Sequence, residues 1–446
     1  MAIAAVPVGG GNARTGRPFA GSEFLKRALV LGAVLGAGGC LEWDDLAPEW
    51  VRQWGGSSED EVLDVAVDVG GHVYLAGTTE GQLCGNPNAG GRDICLVQYD
   101  SLGNRGWARQ LGTATDDVAS SVATDDAGNV YVAGWTAGDL NGGPLLGGED
   151  LFLLAYDSRG RPVWSRKLGS PLDDQATAVA TDYAGAIFVV GYSLGALPGC
   201  TSAGNSDLFL IRYDRYGNRR DPPIQHGTAQ IDAATGVAAD GAGNVYVTGC
   251  TAGGLDGGTS AGGLDAFLIR FDSEDKRVWT RQLGTNEDDC ATSVATDGAG
   301  HVLVTGYTRG ALDAAKRADG FDVFLAQYDG AGKLEWLRQV GTAETDHPRR
   351  VAVGRAGSVY LTGYTLGPLD GLRSRGGPDL FLARYDGSGN KAWLRQLGSG
   401  QADVATSLAV DRSGGLYVAG VTTGSLDGRQ NAGETDMFLL KLPNRR

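Results

Sequence analysis

Seven glycines, Gly77, Gly134, Gly191, Gly249, Gly306, Gly363 and Gly420, each close a V-Y-V-A-G-like run. The steps between them are 57, 57, 58, 57, 57 and 57 residues. Seven aspartates that precede F-L-type runs, Asp93, Asp150, Asp207, Asp265, Asp322, Asp379 and Asp436, repeat the same steps. The one extra residue falls between Asp214 and Pro222. Such a period confines the chain to an array of like units, each of which must bury its apolar surface against its neighbours.

Each unit holds four strand-like runs. In the fifth they are A-T-S-V-A-T-D (291–297), H-V-L-V-T-G-Y-T (301–308), D-V-F-L-A-Q-Y-D (322–329) and E-W-L-R-Q-V-G-T (335–342). The connections D-G-A-G-H (297–301) and D-G-A-G-K (329–333) have Asp first and Gly fourth. That is the chemistry of a type I turn followed by a left-handed residue, so the runs pair as tight antiparallel hairpins. Val302 and Val304 alternate with Leu303 and Thr305, so both faces of the sheet are apolar or small and both need cover. Four-stranded sheets packed face to face around an axis form a β-propeller. The first run of each unit is rich in Ala, Ser, Thr and Val, which suits the crowded axis. The fourth carries Trp107, Trp164, Trp279, Trp336 or Trp393, which suits the wide rim. Unit three has Pro222 at that position, and D-P-P-I-Q-H-G (221–227) fits only an edge strand.

The stretch E-W-V-R-Q-W-G-G (49–56) aligns with A-W-L-R-Q-L-G-S (392–399), so Trp50 begins the series Trp50, Trp107, Trp164. It reads as a fourth strand without a unit before it, and the seventh unit, ending D-M-F-L-L-K-L (436–442), has none after it. The expected fold is therefore all-β: a seven-bladed β-propeller with four antiparallel strands per blade, closed by the N-terminal strand in the last blade. The unit D-x-A-T-S-V-A-T-D-x-x-G-N-V-Y-V-T-G-Y-T … D-x-F-L-x-x-Y-D-x-x-G-x-x-x-W-x-R-Q-L-G resembles the bacterial seven-bladed propeller repeat, the SBBP or beta-propeller repeat family, over roughly residues 49–442. The resemblance implies this fold and an exported or surface location. It carries no shared catalytic motif to transfer.

Residues 1–39 form a leader. Arg14, Arg17, Lys26 and Arg27 precede A-L-V-L-G-A-V-L-G-A-G-G-C (28–40), whose apolar part is too short to span a bilayer. The ending A-G-G-C resembles a bacterial lipobox, although Ala37 stands where Leu is usual. The resemblance implies that Cys40 becomes a lipidated mature N-terminus, with residues 40–48 as a short tether, 49–442 as the propeller and 443–446 as a tail. The expected location is an outer-membrane or cell-surface lipoprotein, with plain secretion as the alternative.

Without the four bases and one acid of residues 1–39, the 38 bases and 53 acids of the chain fall to 34 against 52. That balance repels phosphate backbones and excludes nucleic acid as a partner. No H-E-x-x-H, C-x-x-C, G-x-S-x-G or phosphate-loop pattern occurs, and of the four histidines His72 and His301 sit at Asn129-like turn positions.

Cys95 occupies a position that is Phe in the other six units, and Cys84–Cys95 is a plausible disulfide after export. Cys250 could pair with Cys200 or Cys290. The candidate binding face is acidic. An Asp precedes every first run: Asp60, Asp117, Asp174, Asp232, Asp289, Asp346 and Asp403. Further acids, Asp256, Asp313, Asp370 and Asp427, lie in the long loops toward the same face, with Asn141 at the equivalent place. A carboxylate ring of this kind could gather Ca²⁺, or the same aspartates could serve the joints between blades. Tyr192, Tyr307, Tyr364 and Trp135 recur after the second-run glycine and read as packing or as sugar platforms. The expected function is a monomeric, lipid-anchored, non-enzymatic binding or scaffold module for a protein or glycan. The alternative is a cation-dependent enzyme or lectin using the acidic face.

Overall fold

In a computed structural model of the chain, the described residues are 47–140, 144–182, 184–313, 320–426, 428 and 430–443. Cys40 and the leader lie outside them, as do Asn141 and Asp427. Seven four-stranded antiparallel sheets form a seven-bladed β-propeller. Six blades are continuous in the chain. The seventh combines Asp403–Val410, Leu416–Thr422 and Asp436–Leu442 with the N-terminal strand Trp50–Trp54, paired in the register Trp50↔Lys441 to Trp54↔Met437.

Strand formation follows from composition at each radius. Second strands such as Val130–Thr136 and Val302–Thr308 are buried along their whole length, as period-2 runs covered on both faces must be. Fourth strands such as Arg105–Leu111 are exposed at their starts and half-buried beyond. Each apolar layer is shared by two blades. Tyr74, Ala76, Ile94 and Leu96 of blade 1 pack on Ala119, Val122, Val132 and Phe152 of blade 2. Tyr417, Ala419, Met437 and Leu439 of blade 7 pack on Val62, Val65, Leu75 and Val97 of blade 1. Among the described residues, the ring thus closes without an uncovered sheet face.

The hairpin chemistry is local. Asp125 accepts the amides of Ala127 and Asn129 on one oxygen and the Asn129 side chain and Tyr131 hydroxyl on the other. Gly128 then turns the chain at φ +79°, where an L side chain is strained. His72 bonds Asp68 just as Asn129 bonds Asp125.

The rim is riveted by a W-x-R pair. Trp107 donates its indole N–H to the Ser158 carbonyl and Arg109 donates Nε to the Gly160 carbonyl, both in the next blade's outer hairpin. The same two bonds recur from Trp50, Trp164, Trp279 and Trp336 and their arginines. Blade 3 departs as its prolines foretold: its fourth strand shrinks to Ile224–His226. With no Trp there to cover the blade 4 hairpin, Asp275 replaces the usual glycine at φ +65°, held by Arg212 and Arg220.

Candidate functional site: the joints and the channel mouth

All seven first-strand aspartates are fully buried, with zero fractional exposure. Each accepts the amide of the residue four before it, at 2.5–2.6 Å, from Gly56, Thr113, Ser170, Thr228, Thr285, Thr342 and Ser399. The other oxygen of Asp60, Asp232, Asp346 and Asp403 accepts a hydroxyl from Thr79, Thr251, Thr365 and Thr422 at the end of the second strand. These carboxylates therefore tie the turn between blades to the sheet that follows, and none lines the channel cavity.

A second carboxylate sits at each joint. In six blades the third-strand aspartate accepts the fourth-strand glutamine amide, as in Gln110 to Asp93 and Gln396 to Asp379, and in blade 2 Lys167 takes the glutamine's place beside Asp150. The glycine two residues after that position, Gly112 or Gly398, passes directly over the third-strand aspartate. A Cβ at Gly55, Gly112, Gly169, Gly227, Gly284, Gly341 or Gly398 would lie 1.9–2.4 Å from its Oδ1. Six of the first-strand aspartates have raised carboxyl pKa values. Burial is the main cause, with the neighbouring aspartate adding to it, and Asp174, Asp346 and Asp403 are pushed up to about 6. Asp60, Asp117 and Asp289 move the same way.

The loop acids are scattered. Asp256 meets Arg277, His226 and Thr280, and Asp370 meets Lys391. These partners belong to or flank outer strands, so the two acids serve the rim and not the channel mouth expected for them. Asp313 lies where Gln339 accepts its backbone amide. Among the described residues, no three His, Cys, Asp or Glu side chains form a set that could hold a metal.

Cys84 and Cys95 are disulfide-bonded within blade 1. Cys250 is bonded to Cys290, which staples blade 4 to blade 5, and Cys200 is a free, half-buried thiol.

The channel carries the asymmetry. Every first strand has a bulge after its third residue. The bulged fourth residues, Leu63, Ser120, Thr177, Thr235, Thr292, Arg349 and Thr406, all line a cavity of about 240 Å³ toward the starts of these strands. Thr177, Thr235 and Thr406 donate at 2.8–2.9 Å to backbone carbonyls of the next blade, those of Ala234, Ala291 and Val62. A bulge redirects side chains in this way because the strand alternation slips by one.

Blade 6 breaks the pattern. Its first strand reads D-H-P-R-R-V-A-V (346–353), placing His347, Arg349 and Arg350 at the cavity. His347 is stacked on Tyr364 at 5.6 Å and tilted against Tyr307 at 4.6 Å. Burial and the adjacent Arg349 hold it well below the ordinary imidazole range, so it is neutral. The Arg349 guanidinium lies over the Tyr364 ring at 5.6 Å. Arg350 reaches across to Asp64 of blade 1 at 3.8 Å. Asp64 already accepts four bonds, from the Ser121 and Ser407 hydroxyls and the Val65 and Val122 amides. Trp135 and Tyr307 border the cavity although they are themselves buried, as Tyr192 and Tyr364 are.

These residues are not part of what the units share. The signal that finds them is departure: Arg349 where five blades have Ser or Thr, and Asp64 and Arg350 where small residues stand.

The Beta-propeller repeat family model matches residues 106–141, 163–197, 278–312, 335–370 and 392–427. Each match starts on one blade's fourth strand and runs through the next blade's first two. The chain is 26% identical over 412 residues to "Regulatory protein FlaEY" of Caulobacter vibrioides, covering 78% of this chain and 42% of that protein. It is 22% identical over 268 residues to "Uncharacterized WD repeat-containing protein L264" of Acanthamoeba polyphaga mimivirus, covering 53% and 16%. The chain thus spans less than half the length of these relatives. Among solved structures, the WD40 beta propeller domain of Doa1 superposes with a TM-score of 0.51 at 11% identity, over 91% of this chain and 98% of that one. This likeness is one of fold.

Proposed function

We propose that the protein is an exported, lipid-anchored, non-enzymatic disc that binds a protein or glycan of the cell envelope at the channel-mouth face. The observation that carries this reading is the asymmetry at that mouth. Seven similar blades present one departure there, His347, Arg349 and Arg350 opposite Asp64, and a rigid symmetric scaffold with one odd corner suits recognition. The joint aspartates favour binding over catalysis, since amides and hydroxyls engage them inside the fold instead of leaving them free to move protons. Two disulfides fit an oxidising compartment. The lipobox-like A-G-G-C supports anchoring through Cys40. Residues 41–48 reach about 28 Å when stretched, which holds the disc near the bilayer.

Two measurements test this. Intact mass of the membrane-fraction protein should show a chain starting at acylated Cys40; an unmodified chain starting at Met1 ends the anchoring proposal. The disc, cross-linked in envelope extract and screened on a glycan array, should capture a ligand whose binding falls when Arg350 is replaced by Gln. Binding indifferent to that change moves the site off the channel mouth.

A further inference from the structure

Arg349 is the anomaly of the channel. In the other blades the bulged residue is a small hydroxyl or, once, Leu63, and several of the hydroxyls close onto the next blade's carbonyl. Arg349 puts a permanent cation at the same place. Its Nε and Nη2 are buried and find no hydrogen-bond acceptor among the described residues. A buried guanidinium N–H without an acceptor costs far more than an exposed one. The obvious carboxylate does not supply it. Asp64 is saturated by two hydroxyls and two amides and faces Arg350. The cavity beside Arg349 is about 240 Å³, enough for a small organic molecule; its wall is mainly apolar, with Leu63, Val118, Trp135 and Tyr307, and is dotted with Ser and Thr side chains.

We propose that this cavity binds a small oxyanion on a hydroxyl-rich body, a sugar acid or sugar phosphate, with Arg349 and Arg350 as the anion clamp. A guanidinium meets a carboxylate or phosphate through two parallel N–H···O bonds, an arrangement Arg349 reaches by turning its buried Nε–Nη2 edge from beside the Tyr364 ring into the cavity. Side chains such as Ser120 and Thr292 face the polyol, and the accessible parts of the otherwise buried Trp135 and Tyr307 border its ring. The proposal rests on the channel mouth being the binding face, and it names the chemistry recognised there.

The test titrates the full folded chain, disulfides intact, with glucuronate, inorganic phosphate and glucose at low salt. Glucuronate or phosphate should bind saturably at one site, with glucose much weaker. Glucuronate above phosphate assigns a carboxylate ligand, and the reverse order a phosphate. Arg349→Ala should weaken the oxyanion roughly 10- to 100-fold, and Arg349→Lys by less, as expected for a charged hydrogen bond. Arg412→Ala, at an exposed pair with Asp126, should change nothing. A readout without any variant guards against misfolding: the bound oxyanion should protect Arg349 of the wild type from phenylglyoxal. No saturable oxyanion binding by the wild type, or binding unaffected by either Arg349 change, overturns the proposal. If the disc still captures an envelope ligand in that case, only the ligand class falls and the binding-module reading stands.

Discussion

Trp50 donates its indole N–H to the carbonyl of Ser101 at 3.2 Å. Trp50 belongs to blade 7 and Ser101 to the outer hairpin of blade 1, so this bond crosses the seam where the ring closes. Arg52 adds a second bond, to Gly103 at 2.7 Å. The clasp strand therefore completes one blade by its backbone and holds the next by its side chains. Deleting residues 49–56 should lower the melting transition of the whole disc, because it uncovers the edge Asp436–Leu442 and the shared layer around Leu439. Trp50→Ala alone should cost about 2–4 kcal/mol in urea unfolding. A deletion that melts like the wild type refutes closure by this strand.

Gly112 sits over Asp93 with no room for a methyl group, its Cβ position lying 2.0 Å from Oδ1. Gly112→Ala should destabilise by roughly 1–3 kcal/mol through overpacking. In an Asp93→Ala background the same change should cost less, and a double-mutant cycle measures the difference. Gly298→Ala is the control: nothing lies within 4 Å of its Cβ position and its φ is ordinary. It should be neutral or stabilise by about 0.4–1 kcal/mol. Equal effects at the two glycines would refute the contact.

The architecture was legible because it is written seven times. Trp50 aligns with Trp393, and Pro222 announces a broken outer strand. The joint aspartates were visible as a spacing, but a spacing does not say which way a side chain points, and burial against an amide looks the same in sequence as exposure at a mouth. The channel was hidden by the bulge. Simple alternation would send Arg349 and Arg350 to opposite faces, yet the slip after Pro348 lets both line one cavity. The repeat lies in what the blades share, whereas Asp64, Arg349 and Arg350 stand out only where single blades depart from it.

The two disulfides differ in what they join. Cys84–Cys95 closes 11 residues inside blade 1, whereas Cys250–Cys290 closes 40 residues across two blades. On loop entropy alone the bonds contribute about 3 and about 4 kcal/mol. Cys290→Ser should therefore lower the melting temperature more than Cys95→Ser, and unfolding in millimolar dithiothreitol, which reaches these buried bonds once the chain opens, should bring the wild type close to a Cys95→Ser/Cys290→Ser double variant. A larger loss from Cys95→Ser would show that packing around Cys95, not loop length, sets the order.

The joint carboxylates make stability depend on pH. Asp174, Asp346 and Asp403 titrate near 6 in the fold, against an ordinary value of 3.8, because burial disfavours their charge. A raised pKa means that the fold prefers the protonated form. The stabilisation is complete below pH about 4 and is lost as the pH rises through 6. The hairpin aspartates Asp100, Asp157 and Asp386 oppose this only in acid, since hydrogen bonds from residues such as Asn104, Arg161 and Asn390 hold their pKa values below the ordinary one. The melting temperature should therefore rise from pH 7.5 to about 5 and fall again below about 4. Asp403→Asn keeps one oxygen to accept from Ser399, turns an NH2 donor toward the Thr422 hydroxyl and removes the buried charge, so its melting temperature should vary less across that window. A melting temperature that falls steadily from pH 7.5 to 5 would show that the bonds to these carboxylates outweigh their desolvation.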